Sequence, residues 1–262
     1  MKELGKLACV VGLFITLKFV VLFLLIGGTQ FFVDDNSEEL NSQLVGYSTF
    51  VSSLLTLIIL YLWRPIGKIK DAYLKIPFRL YIALIVLGFL GMAINSFILS
   101  LFVDNQFDLL ENSKALLLSG PIGIFSVVVL VPIVEELVFR KIFIESLTPK
   151  VGPMMAIIFS SLIFGILHGA SVQILGATLL GLLFGWIYFV SKSIVPSIIV
   201  HTLNNGFFIY SLSQLESSNH TENIESLWSV QSAYGWLVTS VTVVIFVLLY
   251  KWVSRNKVSV KY

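Results

Sequence analysis

Long apolar runs constrain this chain more than any other feature of its sequence. Eight of them come close to the length that an α-helix needs to cross about 30 Å of hydrocarbon at about 1.5 Å per residue. Because a lipid-exposed chain must satisfy its own backbone hydrogen bonds, such runs predict helices. They lie near residues 7–33, 45–63, 80–103, 115–139, 152–168, 172–190, 194–212 and 234–253.

The composition agrees with this interpretation. Hydrophobic residues make up 57% of the chain, charged residues 12%, and the mean hydropathy is +0.94, far above the values of soluble domains. We therefore predict an all-α, polytopic transmembrane bundle of about eight membrane helices, located in the cell membrane as a multi-pass protein. The fifth and sixth runs are short and separated by three residues, which predicts a tight helical hairpin.

The distribution of charge predicts the orientation. If the N-terminus is cytoplasmic, all of the 17 lysines and arginines except Lys18 and Lys114 fall at the inner side. The outer loops carry acidic residues instead, so the positive-inside rule predicts that both termini are cytoplasmic. The net charge of +2 follows from this layout and does not indicate a nucleic-acid partner.

Three minor features of the sequence complete this outline. The first run is too long for a signal peptide and contains Lys18, so we interpret it as a retained helix. We expect Lys18 to be buried against a carboxylate, or to snorkel, as readily as to act in catalysis. The single cysteine, Cys9, excludes an internal disulfide. Asn219 begins a weak match to an N-glycosylation acceptor on the outer side.

Two carboxylates and a guanidinium lie inside the fourth apolar run, at Glu135, Glu136 and Arg140. Charge at membrane depth is costly and therefore indicates a functional site. On a helix, Glu136 and Arg140 share a face and can form an ion pair. Glu135 is turned by about 100° and has no such partner, which leaves it for a cavity as a general base. Alternatively, both glutamates only stabilise the helix end by pairing with Arg140 and Lys141.

Two more polar clusters follow in later runs. Phe164 and His168 are four residues apart, as are His201 and Asn205, so each pair shares a helix face. Each pair by itself is explained by core packing or by hydrogen bonds between membrane helices. Their position in successive segments of one half of the chain favours a shared site. Pro196 precedes His201 and could kink its helix, opening room for water.

The depths of the three clusters are a check on whether they can meet. By helical rise, Glu135 lies roughly 16 Å from the inner end of its helix, His201 roughly 10 Å and His168 about 24 Å. The predicted depth of His168 therefore differs most from the depths of the other two residues. A shortened or broken fifth helix would bring it closer to the others.

Together the three motifs resemble a known family. Glu-Glu-x-x-x-Arg at 135–140, Phe-x-x-x-His at 164–168 and His-x-x-x-Asn at 201–205 resemble the CAAX protease and bacteriocin-processing (CPBP) family of intramembrane endopeptidases. The resemblance covers roughly residues 115–210. We accordingly divide the chain into three N-terminal spans at 1–114, a catalytic helical core at 115–212, and an outer loop, last helix and basic tail at 213–262.

The resemblance implies a peptidase that hydrolyses a membrane-associated or lipidated peptide or protein with water activated by glutamate. On this pattern Glu135 is the general base, His168 orients water or glutamate, and His201 and Asn205 stabilise the oxyanion. Glu136, Arg140 and Phe164 are structural or position the substrate. No cofactor is expected. Zinc held by Glu135, His168 and His201 is the less favoured alternative, because no base would remain and no His-Glu-x-x-His helix is present.

Two other classes of function stay open at this point. A non-catalytic scaffold or bacteriocin-immunity factor would bind a partner protein through the same helices. A transporter could also use buried charges, although the sequence has no visible inverted repeat. Neither the substrate nor the oligomeric state is indicated by the sequence.

Overall fold

The computed structural model describes residues 2–32, 37–63, 76–102, 115–169, 171–217 and 233–256. Its regular elements are helices, which confirms the all-α prediction. We number them α1 (Lys2–Phe32), α2 (Glu38–Trp63), α3 (Phe78–Ser100), α4 (Gly120–Val151), α5 (Pro153–Ile166), α6 (Ser171–Ser191), α7 (Val195–Ser217) and α8 (Ala233–Arg255).

The protein is a multi-pass membrane protein. In the described part of the chain, six helices (α1, α2, α3, α4, α6 and α8) are long and apolar enough to cross a membrane. Each of the eight predicted runs overlaps one helix, but α5 is only 14 residues long and α7 is less apolar. The number of membrane helices and the cytoplasmic termini stay predictions. Residues 64–75, 103–114, 218–232 and 257–262, including Asn219, lie outside the described residues.

Two wide turns interrupt the α-helical geometry of α4. Ser126–Leu130 and Leu137–Ile144 are π-helical, a geometry that is frequent at functional sites. In the first of them, the N–H of Val131 bonds to the carbonyl of Ser126, five residues back. The next residue, Pro132, has no N–H to continue this pattern. The carbonyl of Val127 is therefore open to a partner outside the helix.

The helix α4 is central in the bundle and packs against neighbours along its whole length. The first half contacts α2 and α7, and the second half contacts α1, α5 and α6. Buried apolar side chains from five helices meet there, among them Val10 and Phe14 of α1, Phe139 and Phe143 of α4, and Phe164 of α5. This packing encloses the charged residues of α4 and shields them from lipid.

A glycine turn and a small-residue contact build the predicted hairpin of α5 and α6. Gly169, at φ +86°, follows the end of α5 in a conformation that L-residues rarely adopt, and α6 begins two residues later at Ser171. The two helices of the hairpin pack closely, since a Cβ on Gly181 would lie 3.0 Å from that of Ser161. The tight hairpin is confirmed.

The expectation that Pro196 kinks the helix ahead of His201 is wrong. α7 begins at Val195 and continues unbroken to Ser217, so Pro196 lies in the first turn. Proline is tolerated there because the N–H groups of the first turn have no partner within the helix. The helix start is secured instead by Ser193, whose hydroxyl oxygen accepts a 3.3 Å hydrogen bond from the N–H of Val195.

Candidate functional site

Glu136 lies at the centre of the polar cluster and is fully buried. One oxygen, Oε2, accepts a hydrogen bond from Nε of Arg140 at 3.1 Å. The other, Oε1, lies 3.0 Å from Nδ1 of His201. The ion pair predicted from the four-residue spacing is confirmed, and Glu136 also joins α4 to α7.

Arg140 is fully buried and held on several sides. Its Nη1 donates to the hydroxyl of Ser160 at 3.3 Å, and that hydroxyl donates to the carbonyl of Phe139 at 3.0 Å. The guanidinium lies over the rings of Phe164 and Phe184, 5.1 and 5.9 Å from their centroids. These contacts tie α4 to α5 and α6. A guanidinium with this burial holds the motif together and does not face the exterior.

His201 has a defined orientation because of its neighbours. An ionised carboxylate only accepts, so Nδ1 donates its hydrogen to Glu136. The ring stacks on Phe184 at a centroid distance of 4.9 Å. Its other nitrogen, Nε2, is thereby directed toward Glu135 and lies 3.8 Å from Oε2 of that residue. His201 is thus paired with the carboxylate of Glu136 through Nδ1, and its Nε2 faces the carboxylate of Glu135.

Glu135 is 5% exposed and has a partner that its own helix does not supply. Nζ of Lys18, on α1, donates to Oε1 at 3.4 Å. Lys18 lies against a carboxylate, as one of the alternatives predicted, but it is not buried there, since 40% of its side chain is exposed. The carboxylate of Glu135 is thus bordered by Lys18 at one oxygen and His201 at the other.

Asn205 connects α7 to the first wide turn of α4. Its Nδ2 donates to the carbonyl of Val127 at 2.9 Å, the group that Pro132 leaves without a helical donor. Its Oδ1 accepts from Nδ2 of Asn204 at 3.3 Å. One N–H of the Asn205 amide is therefore committed to holding two helices together.

His168 follows the end of α5 and is exposed. Its Nδ1 lies 2.7 Å from the carbonyl oxygen of Phe164, and its ring is 4.6 Å from the phenyl centroid of the same residue. Phe164 also contacts the ring of His201, at 5.9 Å. The described contacts of His168 thus reach the cluster only through Phe164, in line with the depth mismatch predicted from the helical rise.

The ligand set considered for zinc does not converge. In the part of the chain that the structure describes, no group of three or more His, Cys, Asp or Glu side chains is arranged to hold a metal ion. Glu135 and His201 lie together, but Nδ1 of His201 is bound to Glu136 and His168 is on the exposed side of Phe164.

Three residues of the site were missed or only partly anticipated. Lys18 carries a signal, because a lone charge inside an apolar run must find a partner. Ser160 and Phe184 carry none. A serine in a membrane helix usually bonds to its own backbone, and phenylalanine occurs throughout this chain. Their roles depend on which helices lie beside α4.

Comparison with known proteins agrees with the geometry. Residues 117–207 match a family model described as "Type II CAAX prenyl endopeptidase Rce1-like". The resemblance to the CPBP family is confirmed. This Rce1-like segment contains the proposed site residues from Glu135 to Asn205, whereas Lys18 lies outside it.

Two curated relatives match larger parts of the chain. A candidate membrane peptidase of Bacillus subtilis, YdiL, is 35% identical over 109 residues, which are 40% of this chain and 44% of that protein. The membrane-embedded CAAX protease MroQ of Staphylococcus aureus is 28% identical over 172 residues, which are 61% of this chain and 70% of that protein. The match thus spans less than half the length of the Bacillus relative. No solved structure matches the chain significantly.

Proposed function

We propose that this Rce1-like protein is a membrane-embedded endopeptidase in which Glu135 activates water. One observation carries the proposal: Glu136 orients His201 so that Nε2 lies 3.8 Å from Oε2 of Glu135. This distance is too long for a direct hydrogen bond. It separates a potential base, Glu135, from a potential hydrogen-bond donor, His201. A reacting group bound there would meet both at once.

The proposed reaction divides the work among three residues. Glu135 accepts a proton from water, and the hydroxide that forms attacks the carbonyl carbon of the substrate. In this proposal His201 is the imidazolium, with a hydrogen on each ring nitrogen, so that Nδ1–H stays on Glu136 while Nε2–H and the second N–H of the Asn205 amide stabilise the oxyanion. Glu135 then returns the proton to the leaving amine as the C–N bond breaks. Preorganised donors in a site shielded from water stabilise such charge by a few kcal/mol, about 3 for one donor.

Glu136 and Arg140 position this machinery without touching the substrate. Since Arg140 neutralises Glu136 in a fully buried pair, Glu136 stays available to orient His201. We propose that the exposed ring of His168 assists from the outer side of Phe164, where substrate or water would approach. We propose no cofactor, with zinc as the less favoured route.

The substrate class follows from the surroundings and from the relatives. A site enclosed by apolar helices is accessible to peptides that already associate with the bilayer. The matching family is described by prenyl endopeptidase activity, and one relative is named a CAAX protease. We therefore propose a membrane-associated or lipidated peptide or protein as the substrate.

The test is cleavage of two fluorescence-quenched peptides by the full chain in lipid vesicles, one peptide with a farnesylated cysteine and one without the lipid. We expect wild-type protein to cleave at least one, Glu135→Gln to lose cleavage, and both proteins to keep nearly the same Tm. Glu39→Gln is the matched control, because Glu39 is exposed at the start of α2. Unchanged cleavage by Glu135→Gln would remove this residue from the mechanism.

One observation favours a second candidate, a non-catalytic membrane scaffold. Asn205 is bonded to Val127 and Glu135 is paired with Lys18, as in side chains that only join helices. In a strain lacking the protein, a scaffold would restore the normal cellular phenotype whether it is expressed as the wild-type protein or as the Glu135→Gln variant. An endopeptidase would restore it only as wild type.

A further inference from the structure

We infer that Lys18 is a positioning residue for Glu135, so that α1 completes a site whose other members lie within residues 117–207. This inference rests on the proposed function. Lys18 is 117 residues away in sequence from Glu135 and lies outside the Rce1-like segment. A lysine in a span that carries none of the three motifs thus contacts the proposed base directly.

The two oxygens of Glu135 have different neighbours. Oε1 accepts from Nζ of Lys18 at 3.4 Å, and Oε2 faces Nε2 of His201 at 3.8 Å. With Lys18 bound to one oxygen, rotation of the carboxylate is restricted, and Oε2 stays on the His201 side. Lys18 therefore determines which oxygen is left to receive the proton of water beside the oxyanion donor.

The register of α1 on α4 makes this contact specific. Phe14, one turn before Lys18, is buried and packs edge-on against Phe139 at a centroid distance of 6.3 Å. Phe139 lies one turn after Glu135 on the antiparallel helix. Lys18 Nζ also lies 4.5 Å from the centroid of the Phe14 ring. Two contacts spaced by four residues on both helices thus set the position of the ammonium group.

The charge balance of the site gives Lys18 a role that Arg140 cannot fill. Glu135 is almost completely buried, and a carboxylate in that environment needs a compensating charge. Arg140 is committed to Glu136. Among the lysines and arginines in the described part of the chain, it is Lys18 that pairs with Glu135.

The experiment measures kcat and KM of the full chain in lipid vesicles with the quenched peptide that the wild type cleaves. We expect Lys18→Met and Lys18→Gln to lower kcat by about 10-fold to 100-fold, with KM close to that of wild type. Lys18→Arg should recover most of the loss, because it restores a cation at the same place. Lys251→Met, at an exposed position of α8, is the control and should have wild-type kinetics.

A second readout does not need activity. The Tm values of Lys18→Gln, Glu135→Gln and the double variant form a cycle. Lys18→Gln should lower the Tm of the wild type, where it leaves a buried carboxylate without its cation, and should lower the Tm of Glu135→Gln less, because no carboxylate charge remains there. Additive losses, wild-type kcat in both Lys18→Met and Lys18→Gln, or no recovery in Lys18→Arg would each overturn the role of Lys18. Full cleavage by Glu135→Gln would instead overturn the proposed function, while the cycle would still test the contact.

Discussion

The side-chain amide of Asn205 donates a 2.9 Å hydrogen bond to the backbone carbonyl of Val127, 78 residues earlier. This carbonyl belongs to the π-helical turn before Pro132. It has no donor within the helix, because proline has no N–H at the position where the π-helical pattern needs one. In the second wide turn, Ser160 donates to the carbonyl of Phe139. Side chains of neighbouring helices thus bond to backbone carbonyls in both wide turns of α4.

Replacing Asn205 by Leu should lower both stability and activity. The carbonyl of Val127 would lose its donor inside the bundle, at a cost of about 1–2 kcal/mol. The free energy of unfolding in detergent micelles measures this loss. Asn256→Leu is the control, since Asn256 is exposed and its side-chain amide donates to the carbonyl of Trp252 in its own helix. Unchanged stability in Asn205→Leu would mean that the hydrogen bond contributes nothing.

Breaking the pair of Glu136 and Arg140 should destabilise the protein more strongly. Glu136→Gln or Arg140→Met leaves the other charge buried without compensation, at a cost of about 3–5 kcal/mol. Removing both charges together should cost less than the sum of the single losses. Thermal unfolding of the three variants beside Glu39→Gln tests this. Equal stability of Arg140→Met and wild type would contradict a structural role for the pair.

A larger side chain at Gly181 should separate the α5–α6 hairpin. A Cβ at this position already lies 3.0 Å from that of Ser161, so Gly181→Leu forces the two backbones apart and costs about 1–3 kcal/mol. Because α5 and α6 supply the rings that enclose Arg140, cleavage should fall as well. Gly12→Leu is the control, since nothing lies within 4 Å of its Cβ position. Equal Tm losses in both variants would rule out the close contact as the cause.

Removal of metal should leave cleavage unchanged. Glu135 and His201 bring two possible ligands together, but among the described residues no third one joins them, and His168 lies on the exposed side of Phe164. The measurement is the cleavage rate after dialysis against a chelator, with and without added Zn²⁺. Loss of activity that Zn²⁺ restores would support the alternative site at Glu135, His168 and His201.

The sequence could predict a side-chain pair within one helix and the α5–α6 hairpin, but not which side chains of distant helices pair. The pairing of Glu136 with Arg140 follows from a four-residue spacing, and it survives the change to π-helical geometry after Glu136. The partner of Glu135 depends instead on the packing of Phe14 against Phe139, which sets the register of two helices far apart in sequence. No spacing rule carries that information.

The sequence by itself determined that the chain is a helical membrane protein, which segments form the helices, and which residues are candidates for the chemistry. Apolar length and buried charge are local properties, and hydrocarbon leaves the backbone few alternatives to helices. The tertiary structure decided that Glu136 orients His201, that Asn205 closes a wide turn of α4, and that α1 brings Lys18 to Glu135. These relations depend on the register and rotation of neighbouring helices, which the shapes of packed side chains set.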